Sequence, residues 1–371
     1  MTCEKIARLQ HRRFISRLKK ILRNTWKTGL SEDIEKNRLQ LKKGKYIKLR
    51  KWEARVSRSE KREKLMAPIY IDYYNDHNYD KTNSFLIKLR KTTCEKGRKV
   101  SINFDNTQKI TASAMISFLA EVDTIISQSS LGRTAITFTH PKNEKVESIL
   151  KQIGFYDLLN KKMRDTPDFD DVSYWNYASG VYTDTQQASE AMTEIEAKIS
   201  HNAQRKLYKG FSEAMANCVE HAYYGCLGNS DTTTKWWAFA GVKENVLVVV
   251  ICDKGIGIPK SLPLTRTGEL IESFRSFLKL NRLNDSAMIK IASRMGKTRT
   301  NQGNRGKGLK DIRAIIDSLN EGSLSIYSNK GYYRYYRNNS KPKDRMKEHK
   351  SSICGTIVEW AIPLSPDIRD A

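Results

Sequence analysis

The sequence predicts an α/β protein, and three observations carry that reading. After Pro68, short apolar strands alternate with amphipathic helical stretches for about 100 residues. Residues 246–252 form an unbroken apolar run (Val-Leu-Val-Val-Val-Ile-Cys), the pattern of a strand covered on both faces. Two glycine-rich stretches, 253–257 and 303–309, follow that strand and precede a later amphipathic helix.

The 371 residues suffice for two or three domains. No stretch of about eighteen apolar residues suggests a membrane span. The opening Met1-Thr2-Cys3-Glu4-Lys5 lacks a charged-then-apolar leader pattern, so a cytoplasmic location is expected. The six cysteines (Cys3, Cys94, Cys218, Cys226, Cys252, Cys354) form no C-x-x-C pair, which argues against a zinc site or a disulfide framework. Lys and Arg outnumber Asp and Glu by 66 to 41, a net charge of +25. Residues 1–65 hold 22 basic and 7 acidic residues, so +15 of that charge sits in one short arm. Such an arm predicts a polyanionic partner.

Within the arm, residues 4–28 read as a basic amphipathic helix, with Ile6, Leu9, Phe14, Leu18, Ile21, Leu22 and Trp26 near helical spacing. Gly29 and Ser31 end it, and a second basic segment fills 33–65. Two readings stand: a solvated helical extension docked on the body, or a nucleic-acid arm.

Residues 66–165 form the next unit. Strands are predicted at Ile69-Tyr70-Ile71, at 99–104 and at 135–138, with helices over 82–95, 111–128 and 143–152. Residues 103–115 (Asn-Phe-Asp-Asn-Thr-Gln-Lys-Ile-Thr-Ala-Ser-Ala-Met) resemble the centre of a STAS domain, the fold of anti-sigma-factor antagonists. That family places Asp-Ser-Ser-Gly-Leu at a helix start. Aligned without gaps, Thr111, Ala112, Ser113 and Ala114 fall on the Asp, the two Ser and the Gly. The resemblance implies a docking or dimerisation module, with Ser113 at the position of the family's phosphoacceptor. Three of the four aligned positions depart, and Thr111 also reads as a helix cap. Residues 166–199 read as a linker, with a strand at 172–177 and a helix at 186–199.

The chemistry lies in residues 200–364. On the helix starting near 205, Glu213, Asn217 and His221 recur every four residues and form one polar stripe. A carboxamide can ligate a hard cation, and a carboxylate one turn away can take a proton. Lys243-Glu244-Asn245 reads as a hairpin turn before the apolar strand, which ends in Asp253-Lys254-Gly255-Ile256-Gly257. Two glycines beside an acceptor-only carboxylate let the backbone approach a flat ligand that carries an exocyclic amine. The stretch Gly303-Asn304-Arg305-Gly306-Lys307-Gly308-Leu309 leads into a helix, whose N-terminus offers N–H groups to phosphates. It matches neither a P-loop nor a dinucleotide fingerprint. Gly355-Thr356 opens a last strand, and residues 365–371 form a tail.

These four blocks resemble, in order and spacing, the GHKL ATPases: gyrase, the ninety-kilodalton heat-shock proteins, histidine kinases and MutL. The motif around Glu213, Asn217 and His221 is most similar to the anti-sigma-factor serine kinases. The resemblance covers about 200–364 and implies an α/β sandwich with a mixed sheet, binding ATP and Mg2+. It implies that Asp253 recognises adenine with Thr356 nearby, and that Asn217 holds magnesium. Gly255, Gly257, Gly306, Lys307, Gly308 and Leu309 would wrap the nucleotide, and Glu213 would be the general base. Residues 260–302 would form a lid, with Lys297, Arg299, Arg305 and Lys307 in reach of phosphates; His221 reads as structural. A sensor histidine kinase fits poorly, because His201 stands only sixteen residues before Asn217.

The expected function is a nucleotide-dependent switch acting on a partner protein or nucleic acid, with a homodimer open to it. The alternatives are a serine/threonine protein kinase of the anti-sigma type and a nucleic-acid-binding scaffold with ATP as a structural ligand. For the scaffold, 330–337 (Lys-Gly-Tyr-Tyr-Arg-Tyr-Tyr-Arg) offers aromatics among cations, although an edge hairpin is the preferred reading. Residues 341–350 read as a solvated loop.

Overall fold

The computed structural model describes residues 62–167, 169, 176–181, 200–224, 234–243, 245–295 and 308–364. The expected arm helices, the 186–199 helix, the tail, and Lys297, Arg299, Arg305, Gly306 and Lys307 lie outside the described residues.

The protein is α/β, as its sequence predicts. The N-terminal unit is built on a parallel sheet of β1 (Glu63–Met66), β3 (Val100–Asn103) and β5 (Ile136–Thr139), in the order β1-β3-β5. A parallel two-residue pair joins β2 (Tyr70–Ile71) to β4 (Lys109–Ile110). The helices are α1 (Asp76–Arg90), α2 (Ala112–Gln128), α3 (Glu144–Gln152) and the short α4 (Phe155–Leu158). Helical crossovers between successive strands permit the parallel pairing. Asn75 caps α1 by accepting from the N–H groups of His77 and Asn78, and Asn143 caps α3 through Val146. Phe104, Phe118 and Phe155 pack ring on ring at the centre, 5.2–6.0 Å between centroids. One boundary needs correction: the expected end of the arm at residue 65 falls inside β1.

The C-terminal unit carries a seven-stranded sheet. Its elements are β6 (Asn176–Gly180), α5 (His201–Glu220), β7 (Trp236–Lys243), β8 (Val246–Asp253), α6 (Ile258–Thr265), α7 (Gly268–Phe277), α8 (Asp285–Arg294), α9 (Gly308–Leu319), β9 (Glu321–Ser328), β10 (Gly331–Asn338), β11 (Lys343–Glu348) and β12 (Thr356–Pro363). The strand order is β11-β10-β9-β12-β8-β7-β6, and every pairing is antiparallel. The mixed sheet expected within 200–364 is therefore not mixed there; the parallel pairs all belong to the N-terminal unit. Two-residue hairpin turns impose this at β9–β10 and at β7–β8, where Asn245 takes φ +60°. Two further corrections follow. The strand expected at 172–177 overlaps β6 (Asn176–Gly180) in two residues only, with 172–175 outside the described residues; β6 pairs with β7 in this sheet, so the unit begins before residue 200. Residues 343–348 are not loop but the edge strand β11, whose exposed Lys343, Arg345 and Lys347 guard against further pairing. Tyr333 and Tyr335 of the aromatic strip are buried in the core, so the edge-hairpin reading describes it better than a stacking platform.

The sheet is covered on both faces. Leu247, Val249 and Ile251 of β8 pack with Phe211 and Met215 of α5 and Ile312, Ile315 and Ile316 of α9. Val250 and Cys252 join Trp237, Phe239 and Ile357 in the core of the N-terminal unit, and α2 lies across this face. The unbroken apolar run has that cause. The contact is also polar: Trp237 Nε1 donates to Asp123 Oδ2 at 2.8 Å, and Ser351 N donates to Asp80 Oδ1 at 3.1 Å. At its centre Glu121 is bracketed by Arg90 Nη2, which donates to Oε2 at 2.8 Å, and Lys254 Nζ at 3.6 Å. Lys254 Nζ also donates to Ser117 Oγ at 2.9 Å.

Candidate nucleotide site

The cleft lies between α5, the open end of β8 and β12, and the helices α6 and α8. Ser200 caps α5 by accepting from Ala203 N. Gly210 lets this helix cross α9 closely: a Cβ there would stand 3.2 Å from Asp311 O and Ile312 Cα. The crossing leaves Ala214, Asn217, Cys218 and His221 toward the cleft.

Asp253 ends β8 and is 4% exposed. Its register partner on β12 is Thr356. Gly255 N donates to its Oδ1 at 2.8 Å, and Cys218 Sγ lies 3.8 Å from Oδ2. Burial pushes the carboxyl up to about 6, against the hydrogen bonds from Gly255 and Thr356 and the Lys254 charge, which all favour the ionised form. Burial and the neighbouring Asp253 push the Cys218 thiol up as well.

The loop after Asp253 is laced into place. Ile256 N donates to Ala222 O at 2.6 Å, and a Cβ on Gly255 would lie 2.0 Å from that oxygen. Gly257 has φ +82°, a conformation only glycine adopts freely, and a Cβ there would meet Asn329 Nδ2 at 2.6 Å. Ile258 N donates to Ser328 Oγ at 2.8 Å, and Ser328 Oγ and Thr356 Oγ1 are 3.0 Å apart. Sheet ends and loop thus form one hydrogen-bonded frame.

The cleft has a cavity volume of about 120 Å³, smaller than the roughly 300–1,000 Å³ of small-molecule sites. Of the residues expected from the sequence, Asn217, Asp253, Gly257 and Thr356 line it together. Gly255 shapes the loop from behind. Glu213 is half-buried one turn before Asn217 and is not among the lining residues. Gly308 opens α9 with Leu309 next, and Gly306 and Lys307 lie outside the described residues. His221, expected to be structural, lines the cleft.

The sequence reading missed the contribution of the expected lid segment. Ile258, Leu262, Ala292 and Met295 supply an apolar wall, and Arg266 adds a cation at the end of α6. The spacing of Leu262, Ile271, Met288 and Ile291, which share a small core, is the signal that could have placed helices there.

Ser113 is elsewhere. It is fully buried at the start of α2, on the opposite face of the sheet, where its hydroxyl donates to Glu359 of β12. Thr111 holds the cap position of α2 with extended backbone, but its side chain makes no cap hydrogen bond and its Oγ1 is buried without a partner. The cap expected there is therefore a correction. Among the described residues, no helix is long and apolar enough to cross a membrane. No protein-family model matches the chain, and none of the curated proteins compared with it matches either.

Proposed function

We propose that the chain is an ATP-binding regulatory protein whose C-terminal unit works as a GHKL-type, nucleotide-dependent switch on a partner protein or nucleic acid. The observation that carries this reading is a buried acceptor-only carboxylate, Asp253, on the floor of a cleft that it shares with Asn217, Gly257 and Thr356. The residues present fit the group. A carboxylate has about four acceptor sites, so beyond the bonds from Gly255 and Thr356 this one can still accept from the adenine amine. Gly255 and Gly257 let the loop after Asp253 pack closely on Ala222 and Asn329, which fixes the cleft floor.

In this reading Asp253 selects adenine, since the guanine edge presents an oxygen where adenine presents an amine. Ser328 and Thr356 hold the frame on which that carboxylate sits. Asn217 offers its amide oxygen to magnesium, and Arg266 offers positive charge near the cleft mouth. Glu213, one turn earlier on the same helix and behind the lining, would take the proton from an attacking oxygen once nucleotide is bound. ATP with Mg2+ supplies the phosphoryl group and its charge compensation. Regulatory output to a partner protein, homodimerisation and a cytoplasmic location belong to the same proposal.

The serine-kinase alternative needs an acceptor other than Ser113 in this arrangement, because that hydroxyl is buried against Glu359. The nucleic-acid scaffold rests on the +15 charge of residues 1–65. Titration with ATP and GTP, with and without magnesium, tests the common core. ATP preference that is lost in Asp253→Asn supports it; equal affinities unchanged by that variant refute it. Glu213→Ala then separates the classes. It should keep ATP affinity within a few fold and lose about 10²–10⁴ of any turnover. Wild type without turnover or transfer, partner present, would leave ATP as a structural ligand.

A further inference from the structure

On the sheet face covered by the N-terminal unit, β7, β8 and β12 carry large side chains, among them Trp237, Phe239, Val250 and Ile357. On β9 the same face carries only Ser323 and Ser325 between the sheet edge and Tyr327. Cross-strand register sets Arg334 of β10, Ser325 of β9 and Glu359 of β12 in one row, with Tyr336, Ser323 and Ala361 in the next. Arg334 and Glu359 therefore stand two strand spacings apart, roughly 10 Å, with a floor of small residues between them. The resulting hollow has a cavity volume of about 330 Å³ and is closed on one side by tyrosines from both units.

Two features give it chemical character. Glu359 is 5% exposed, and its two hydrogen bonds, from Tyr74 Oη at 2.8 Å and from Ser113, both fall on Oε2. Among the described residues no hydrogen bond reaches Oε1. Burial pushes this carboxyl above its ordinary range, against the bonds from Ser113 and Tyr74 and the Arg334 charge. Arg334 lies at the mouth, stacked over Tyr336 at 5.6 Å, with Nη2 donating only to Ser323 Oγ at 3.2 Å. Asp76, also on the rim, is already paired with Lys347. A buried carboxylate and an arginine fork thus face one hollow without facing each other closely enough to pair.

We propose that this hollow binds a free α-amino acid with an aromatic or other large apolar side chain. A simple anion drawn to Arg334 meets Glu359, and a simple cation drawn to Glu359 meets Arg334. A zwitterion satisfies both: its carboxylate matches the guanidinium fork and its ammonium meets Glu359 Oε1. Tyr73, Tyr74, Tyr327 and Tyr332 give the side chain an aromatic wall. Because Tyr73 and Tyr74 come from one unit and Arg334 and Glu359 from the other, the ligand clamps the two together. The site is on the opposite side of the sheet from the nucleotide cleft and does not depend on the reading of that cleft.

The test is calorimetry on the full chain with L-phenylalanine, L-tyrosine, L-leucine and glycine, then with phenethylamine and 3-phenylpropionate, which each lack one charge. The expected result is saturable binding of at least one large apolar amino acid. Each single-charge analogue should bind at least about tenfold more weakly, as should Arg334→Ala and Glu359→Gln protein, since one charge-assisted bond carries such a factor. Arg334 is exposed, so its variant keeps the test valid even if Glu359→Gln folds poorly. Absence of binding by all four amino acids overturns the proposal. So does equal affinity for the single-charge analogues, or undiminished affinity in Arg334→Ala.

Discussion

Replacing Asp253 with Asn should weaken nucleotide binding and yet stabilise the empty protein above pH 6. The carboxyl is raised from 3.8 to about 6, chiefly by burial. Below pH 3.8 the group is protonated in both folded and unfolded chains and costs nothing. Between 3.8 and about 6 the native state keeps a proton that the unfolded state has released, so stability falls as pH rises through that window. Above it the penalty is constant, at roughly two pKa units or about 3 kcal/mol. Asn removes this penalty, but its amide hydrogens face the donors at Gly255 and Thr356, which costs about 1–2 kcal/mol at any pH. The variant should therefore be less stable than wild type near pH 4 and more stable by about 1–2 kcal/mol at pH 8. Urea unfolding of nucleotide-free protein across this range measures the difference, in which all groups common to both proteins cancel. Saturating ADP with magnesium should then reverse the order at pH 8, because only wild type gains ligand stabilisation. A wild-type-to-variant difference that is flat with pH would refute the assignment of a desolvated carboxylate to the cleft floor.

Lys254→Met removes the cation that reaches from the loop after Asp253 to Glu121, whose side chain is 4% exposed. Urea unfolding should show a loss of about 3 kcal/mol, the low end for breaking a buried pair, because Arg90 still holds the carboxylate. Burial alone would raise Glu147, but hydrogen bonds from Arg164, Tyr156 and His140 hold its carboxyl below the ordinary 4.5. Its contribution to stability is present above that value and lost as pH falls through the lower folded one, so Glu147→Gln should flatten the acid limb of a thermal melting profile. Deleting residues 1–61, which spares β1, should abolish retention on heparin; retention that survives the deletion would mark the arm as a structural extension.

Local patterns explain which parts of this fold were readable from sequence. Residues 246–252 announced a strand buried on both faces, since no solvated face could carry seven successive apolar residues. What covers the second face was not readable, because the contact between α2 and β8 joins residues over a hundred positions apart. β1 was missed because it is four residues long and buries Leu65 but exposes Lys64 and Met66, too short for a period. β11 was missed for a different reason: almost every side chain on it is exposed, so no alternation exists, and pairing with β10 alone makes it a strand. In the cleft, Asp253, Asn217, Gly257 and Thr356 were legible because backbone approach and polar spacing are local properties. The apolar wall from α6 and α8 depends on how those helices fold back, which their spacing alone does not state.

Ser113 shows how a local resemblance and a tertiary contact can assign one residue different work. A helix start carrying a serine invites modification when it faces solvent. Here α2 lies flush on the sheet, with Ser113 and Ala114 both fully buried. The hydroxyl fills a donor role toward Glu359, a carboxylate that would otherwise be buried with Tyr74 as its one partner. A phosphate at that position would add a charge of about −1.5 to −2 beside a carboxylate with no room between them. Phosphorylation and docking of the two units thus exclude each other. An undocked chain would expose Trp237, Phe239, Val250, Cys252 and Ile357 together, an apolar face of the kind that needs a partner. If Ser113 is ever modified, the modification therefore acts on the contact between the units and opens a surface, and the cleft beside Asp253 on the other side of the sheet keeps its own lining.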